Sequence, residues 1–542
     1  MRLVGPSSKQ GDSVAHPRLG SGPTREPAGT YPTRALRSEI DLVGHGRLQQ
    51  VLWLTLLGVV AVALYSSGLR IPYYGDDWHH VYGSPPQDLL HYFLRDEPGG
   101  FFRPIEYGFL RVVQTHFGLR TFPIHITVIL LHIILSWLVY VSMIELAFSR
   151  PQAFLGSLFM MVSQANVAAV LANDTFSQVG GALLGFVSVL FLYRHFLRQR
   201  ADNGFKRHIT DKNYWFSVIA FMFSLLFKET STSFFLVVLI MVFLMNLRTK
   251  KQTSAVKRSV VQILPYVFVS VLYLLARDLA NTMQPTAAPE RYIFHLGAHV
   301  LKNFALLAFA VSIPMSSVTA FTLAKSGQIV SVSLIVASTL LVLAFMGYGL
   351  WRSSQRTTLL LLAGFAIVSF FPLVLSSHVG EHLSYNAMPF VSILVGVGLW
   401  KHIELSRNKL RRLIPVTLVL LALFASHAVA VRSKVSLMRQ CGERAAMMVD
   451  RILAESAKVP RNGAILLADG APTQIHYAGF LMGSFDVVAV PVWRTVRELS
   501  GREDIRIWWI EFQEIDQALS NCGPDCVVML YNGKTLDLYK GQ

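Results

Sequence analysis

Long apolar runs alternate with short polar connectors through most of the chain. They occupy residues 51–69, 122–148, 153–171, 178–193, 215–227, 231–245, 260–275, 330–350, 357–375, 387–400 and 413–431. A helix needs roughly 20 apolar residues to cross a hydrocarbon core, and most of these runs approach that length, although 215–227 is short. The pattern predicts an all-α polytopic membrane core of about eleven transmembrane helices. A further run, 299–323, is apolar enough to span but is interrupted at Pro314, so it is expected to be an outer-surface or re-entrant segment. Were it to span, the orientation of everything after it would invert.

The polar positions orient this pattern. Lys and Arg concentrate in connectors 194–212, 248–258, 352–356 and 401–412, which fall on alternate turns and are therefore expected on the cytoplasmic side together. Residues 1–48 are rich in Gly, Pro, Ser and Arg without apolar periodicity, which predicts a disordered basic tail. Arg2, Arg18, Arg25, Arg34, Arg37 and Arg47 place that tail in the cytoplasm. The first apolar run starts too far from Met1 for a cleavable signal core, so it is expected to be retained as an anchor. Residues 49–432 then form the membrane domain. From 433 to 542 the composition turns soluble, with a helical stretch at 438–457 and strand-like runs at 464–468, 486–492, 505–511 and 526–531. These predict a small extracytoplasmic α/β domain, with neither tandem helical repeats nor a glycine-rich phosphate loop.

Composition agrees with a multi-pass membrane protein: 53% of the 542 residues are hydrophobic and only 15% are charged. The formal charge of +17 resides in the connectors, where it reports orientation and not nucleic-acid binding. Cys441, Cys522 and Cys526 show no zinc-ligand spacing. Cys522 and Cys526 are close enough to close a small disulfide loop in an oxidising compartment, which leaves Cys441 over.

Five outer connectors carry the candidate chemistry. They contain Gly75-Asp76-Asp77-Trp78-His79-His80, Phe102-Arg103-Pro104, Asn173-Asp174-Thr175, Lys228-Glu229, and Glu381-His382 with Tyr385 and Pro389. A carboxylate there can take a proton from an acceptor hydroxyl while Arg or Lys stabilises a departing phosphate. Each residue also has a plainer role. The acid pair can cap a helix or sit in a solvated loop, and Arg103 can anchor the interface beside Phe101 and Phe102. Asn173 can cap a helix as readily as serve in a glycosylation sequon. Lys228 and Glu229, being adjacent, point apart on a helix, and each needs its own partner. His79 and His80 beside two acids suit a divalent metal only if further ligands converge, so no cofactor is certain. His132 and His427 read as satisfied interhelical groups.

These pieces resemble the GT-C superfamily of polyprenyl-phosphate-sugar-dependent glycosyltransferases, in particular the branch with protein O-mannosyltransferases and their relatives bearing tetratricopeptide repeats. The resemblance lies in the acid pair after the first span, Phe102-Arg103-Pro104, Lys228-Glu229, and the acid-aromatic-proline string from Glu381 to Pro389. It implies a GT-C-like fold and inverting transfer of a sugar, hexosyl or mannosyl, from an undecaprenyl-phosphate or similar carrier at the outer face of the cytoplasmic, or inner, membrane. It further implies that Asp76 or Asp77 is the catalytic carboxylate, acting as base or positioning the acceptor, and that Arg103, Lys228 and His382 contact the donor phosphate. Glu229 would orient Lys228, with Glu381, Tyr385, Asn173 and Asp174 in support. The pattern usually has Arg directly after the last acid, where this chain has His382, a group titrating near neutrality. Without tetratricopeptide repeats the acceptor can be a glycan, a lipid or a protein. The rival readings are a lipid-linked glycan ligase or polymerase, a transporter or flippase, and a relative that keeps the fold without turnover. The transporter reading is disfavoured because charges cluster at span ends and no internal duplication is visible.

Overall fold

The computed structural model describes residues 34–81, 101–202, 211–247, 252–280, 296–371, 373–376, 380–471, 475–477, 480–482 and 492–539. The chain divides into two units, residues 1–52 and 53–542. Helix Arg34–Tyr65 starts inside the stretch expected to be a tail. The last proline before it is Pro32, and the residues that follow include the good helix formers Ala35, Leu36, Arg37 and Glu39. Residues 1–33 of that stretch lie outside the described residues.

The protein is a mostly helical, multi-pass membrane protein with a small C-terminal sheet. Among the described residues eight helices are long and apolar enough to cross a membrane, or nine if Arg150–Val162 and Gln164–Leu171, bent by 45°, form one span. Two of the expected spans appear as shorter apolar helices, Lys212–Phe227 and Arg356–Phe370. The run 299–323 is two helices, Ala298–Ser312 and Ser317–Lys325, parted around Pro314. Gln164 bridges that break: its Nε2 donates to the carbonyls of Ala310 at 2.7 Å, Ile313 at 3.2 Å and Met315 at 3.0 Å. The carbonyls that a helix end leaves without intrahelical partners are thus satisfied by a side chain.

Glycines let the central helix Met388–Ser406 pack closely on two neighbours. Gly396 meets the backbone of Gln152 and Gly156, and Gly398 meets Gly349 of helix Ile329–Trp351, so an added Cβ at Gly396 or Gly349 would strike backbone.

Helix Leu410–Ser456 runs unbroken from the last apolar segment into the C-terminal region. The sheet beyond it comprises β1 (Ala464–Asp469), β4 (Arg506–Ile510), β5 (Cys526–Tyr531) and β6 (Leu536–Leu538), in the order β4-β1-β5-β6. β4, β1 and β5 are parallel and β6 is antiparallel to β5. A separate hairpin joins β2 (Ile475–Tyr477) to β3 (Phe480–Met482). The period-2 alternation of β1 sends Ile465 and Leu467 into the core shared with Val496 and Met529, and Leu466 and Ala468 onto Ile515 and Val528. Of the strand expected at 486–492, residues 486–491 lie outside the described residues, and Val492 instead begins helix Val492–Ser500. Cys522 and Cys526 are joined as a disulfide and Cys441 is free and buried.

Candidate functional site

The acid pair sits in a short 3-10 turn, Gly75–His80, whose two aspartates have opposite environments. Asp77 is 2% exposed and both of its oxygens are occupied. Oδ2 accepts from Tyr74 N at 3.1 Å and Asn173 Nδ2 at 2.8 Å, while Oδ1 accepts from Asp174 N at 3.0 Å. Burial, and then the charge of Asp174, push the Asp77 carboxyl well above the usual carboxylate range, against the pull of these three hydrogen bonds. Asp76 is exposed, and no described residue hydrogen-bonds it; its charge and that of Asp174 are close enough to interact. Asn173, with its amide on Asp77, is too buried to serve as a glycosylation acceptor.

A cluster of buried charges draws on two further connectors. Arg103 forms a two-pronged pair with Glu229, Nε to Oε2 at 2.9 Å and Nη2 to Oε1 at 2.7 Å. Its Nη1 reaches Glu106 at 3.4 Å, and its guanidinium lies over the Phe101 ring, 4.3 Å from the centroid. Burial works against the Arg103 charge, yet Glu229 and then Glu106 raise its pKa above the ordinary value. Glu229 is therefore the partner of Arg103 and not, as the resemblance implied, a group that orients Lys228 by direct pairing. Lys228 is extended at the end of helix Lys212–Phe227 and Glu229 opens the following 3-10 turn, where both of its oxygens accept from Arg103 while its charge still acts on Lys228.

Glu106, which no sequence motif marked, is fully buried. Its Oε1 accepts from Ser177 N at 3.1 Å, at the start of helix Phe176–Asp202, and its Oε2 faces Arg103. Lys228 is 5% exposed. Among the described residues no hydrogen bond or ion pair engages its ammonium. Burial and then Arg103 lower its pKa, partly offset by Glu106, Glu229 and Asp174. The only earlier sign of Glu106 is its i, i+3 spacing from Arg103.

The string beginning at Glu381 forms a second cluster. Glu381 makes a buried ion pair with Lys434 of helix Leu410–Ser456 and accepts hydrogen bonds from Ser317 N and Ser316 Oγ. Lys434 also donates to the Gln164 carbonyl at 3.3 Å. A buried cation thus stands beside Glu381 after all, supplied by a different helix while the next position holds the half-buried His382. Tyr385 is fully buried, its hydroxyl 2.6 Å from His132 Nδ1. Asn386 ties this turn to the first cluster, donating to Thr230 O at 3.0 Å and accepting from Gln178 Nε2 at 2.8 Å. His132 and His427 are both interhelical groups, His427 Nδ1 accepting from Gln164 N at 3.3 Å.

The residues singled out in sequence thus converge, with Asp76, Asp77, Asn173 and Asp174 on one side and Arg103, Lys228 and Glu229 joined to them through Glu106 and Asp174. Glu381, His382 and Tyr385 form an adjoining turn. Among the described residues no group of three or more His, Cys, Asp or Glu could hold a metal ion; the His79 side chain is outside that set.

No protein-family model and no curated protein sequence matches the chain. Several solved structures are similar to it at low identity. The archaeal oligosaccharyltransferase AglB from Archaeoglobus fulgidus, in complex with an inhibitory peptide and a dolichol-phosphate, matches at 10% identity and a TM-score of 0.46, over 72% of this chain and 56% of that one. ArnT from Cupriavidus metallidurans bound to undecaprenyl phosphate matches at 12% identity and a TM-score of 0.47, over 89% of this chain and 93% of that one.

Proposed function

We propose that the protein is an inverting membrane glycosyltransferase that moves a sugar from a polyprenyl-phosphate donor to an acceptor hydroxyl. The proposed site of reaction is the outer face of the cytoplasmic membrane, with the N-terminus cytoplasmic and the C-terminal domain outside. The observation that carries this reading is the pairing of unlike partners at one mouth: an exposed, unengaged carboxylate, Asp76, and a buried ammonium, Lys228, that no described residue binds.

Transfer to a hydroxyl needs those two groups. The acceptor oxygen attacks the anomeric carbon as the bond to the phosphate oxygen breaks; the hydroxyl proton passes to a carboxylate, and the polyprenyl phosphate leaves with the bonding pair. Asp76 is assigned as the base because its oxygens are available. Asp77 is assigned a positioning role because its oxygens already bind Tyr74, Asn173 and Asp174. Lys228 is assigned to the departing phosphate. Arg103, held by Glu229 and Glu106, sets the charge around it. The order of these motifs along the sequence supports the same reading.

The test is transfer from a panel of radiolabelled polyprenyl-phosphate sugars to a membrane extract, using purified wild type, Asp76→Asn and Asp77→Asn. Asp76→Asn is expected to lower kcat by about 10²–10⁴-fold with donor binding retained, the usual contribution of a general base. No transfer from any donor by folded wild type would remove the proposal in favour of the ligase or transport readings.

A further inference from the structure

The turn that carries the acid pair is held partly by the C-terminal domain. From the membrane core, Thr121 Oγ1 donates to the Ile71 carbonyl at 2.7 Å, and Gln114 Nε2 donates to the His80 carbonyl at 2.5 Å and lies 3.5 Å from the Tyr73 hydroxyl. Turn 173–174 takes Asp77. Two further contacts come from beyond residue 433.

The first is Gly442, in the middle of the long helix Leu410–Ser456. A glycine there weakens a helix relative to alanine, so its presence calls for a close approach. Pro72 supplies it: a Cβ at 442 would stand 2.7 Å from Pro72 Cδ, 2.9 Å from its carbonyl oxygen and 3.0 Å from its nitrogen. The second is helix Val492–Ser500, which packs on both the long helix and the acid-bearing turn. Thr495, 2% exposed, donates from Oγ1 to the carbonyl of Trp78 at 3.4 Å, and Val496 is buried in the same core as Trp78. The long helix is in turn fastened to the sheet: Arg451 Nε donates to the Leu536 carbonyl at 3.3 Å, and the Arg444 guanidinium lies 5.5 Å from the centre of the Tyr531 ring. An unbroken helix transmits a displacement of the domain directly to Pro72, four residues before Asp76.

We infer that the C-terminal α/β domain is a positioning part of the reaction site: Gly442 and Thr495 fix the register of the Asp76-Asp77 turn against the buried Arg103 and Lys228. Both are positioning residues, acting through Pro72 and the Trp78 carbonyl. This assignment rests on the glycosyltransferase reading for its chemical consequence but not for its mechanical one, and the two are measured separately.

Full-length protein is compared with Gly442→Ala, Thr495→Val and Thr495→Ser. Alanine strengthens the helix while striking Pro72, so a defect in Gly442→Ala does not come from a weakened helix. Valine keeps the shape of Thr495 and removes the hydroxyl, which serine restores. Hydrogen exchange of the 73–81 amides is expected to quicken by about tenfold in Gly442→Ala and Thr495→Val, with the amides of 122–145 and 464–469 unchanged and Thr495→Ser resembling wild type. In the transfer assay kcat is expected to fall about tenfold or more at unchanged donor affinity, since a small misplacement of a reacting group has that effect. Unchanged protection at 73–81 in the folded variants, or faster exchange spread over the whole molecule, would overturn the inference. Local loosening of the turn with no transfer by wild type would support the coupling and overturn the glycosyltransferase reading instead.

Discussion

Asp76 and Asp77 are indistinguishable in the sequence, and the structure separates them by what surrounds each oxygen. Two adjacent acids in a short turn must face different ways, but which one turns inward depends on Asn173 and Asp174, nearly a hundred residues later. Glu106 carries only the faint mark of its spacing from Arg103 for the same reason: its importance comes from Arg103, Ser177 and Lys228 closing around it, and an acid early in an ordinary helix does not show that. Lys228 offers a prediction with a sign. Its charged form binds phosphate and its neutral form does not, and burial followed by the Arg103 charge lowers its pKa. Donor affinity should therefore fall as pH rises through a range below the ordinary lysine value, about 10.4. Lys228→Arg, permanently charged, should bind donor with that alkaline limb removed. Equilibrium binding of donor between neutral and alkaline pH measures both, and an alkaline limb that persists in the Arg variant would assign the titration to another group.

Among the elements, the broken segment around Pro314 was legible because proline cannot continue a helix, and the break fell between Ser312 and Ser317. What holds the break was not legible. Gln164 caps the first half, while Glu381 meets the start of the second at Ser317 and pairs with Lys434. In one dimension Lys434 looks like the first charge of a soluble segment. In the fold it is 4% exposed and neutralises a carboxylate that joins three elements. Removing one member of such a pair strands the other charge away from water, which typically costs about 3–5 kcal/mol. Lys434→Met is expected to destabilise the purified protein by about that amount. Glu381→Gln combined with Lys434→Met should recover most of the loss, because glutamine still accepts from Ser317 and no unpaired charge remains. Denaturation in detergent compares wild type, single and double variants; equal losses in the single and the double would show that the pair's charge is not what stabilises the junction.

For the molecule as a whole, contacts between connectors sort them into two groups, and the grouping agrees with the one expected from basic residues. Arg194 pairs with Glu145 at 3.0 Å, Gln355 donates to the Ala147 carbonyl at 3.0 Å, and His402 meets the Phe345 carbonyl at 2.7 Å. These contacts bring together the ends that carry the basic connectors. The other ends meet through Asp77 and Asn173, Arg103 and Glu229, and Asn386 and Thr230. The alternation of apolar runs made this division legible, because a chain that crosses a bilayer repeatedly must deliver its connectors to alternate sides. The span count was less legible: helices Lys212–Phe227 and Arg356–Phe370 are shorter than a full crossing at 1.5 Å per residue, and composition alone does not say how a short helix is accommodated. Sidedness gives the corresponding prediction. Ser354, exposed among the basic connectors, should lie in the cytoplasm, and Lys534, exposed beyond β5, should lie outside. With Cys522 and Cys526 joined and Cys441 buried, single cysteines introduced at these positions can be read individually. A membrane-impermeant thiol reagent on intact cells should label Lys534→Cys at once and Ser354→Cys only after permeabilisation. Labelling of Ser354→Cys in intact cells, with Lys534→Cys labelled only after permeabilisation, would mean that the segment around Pro314 crosses the membrane and inverts all that follows. That result would put the C-terminal domain on the inner side, where the turn it holds could not meet an acceptor outside.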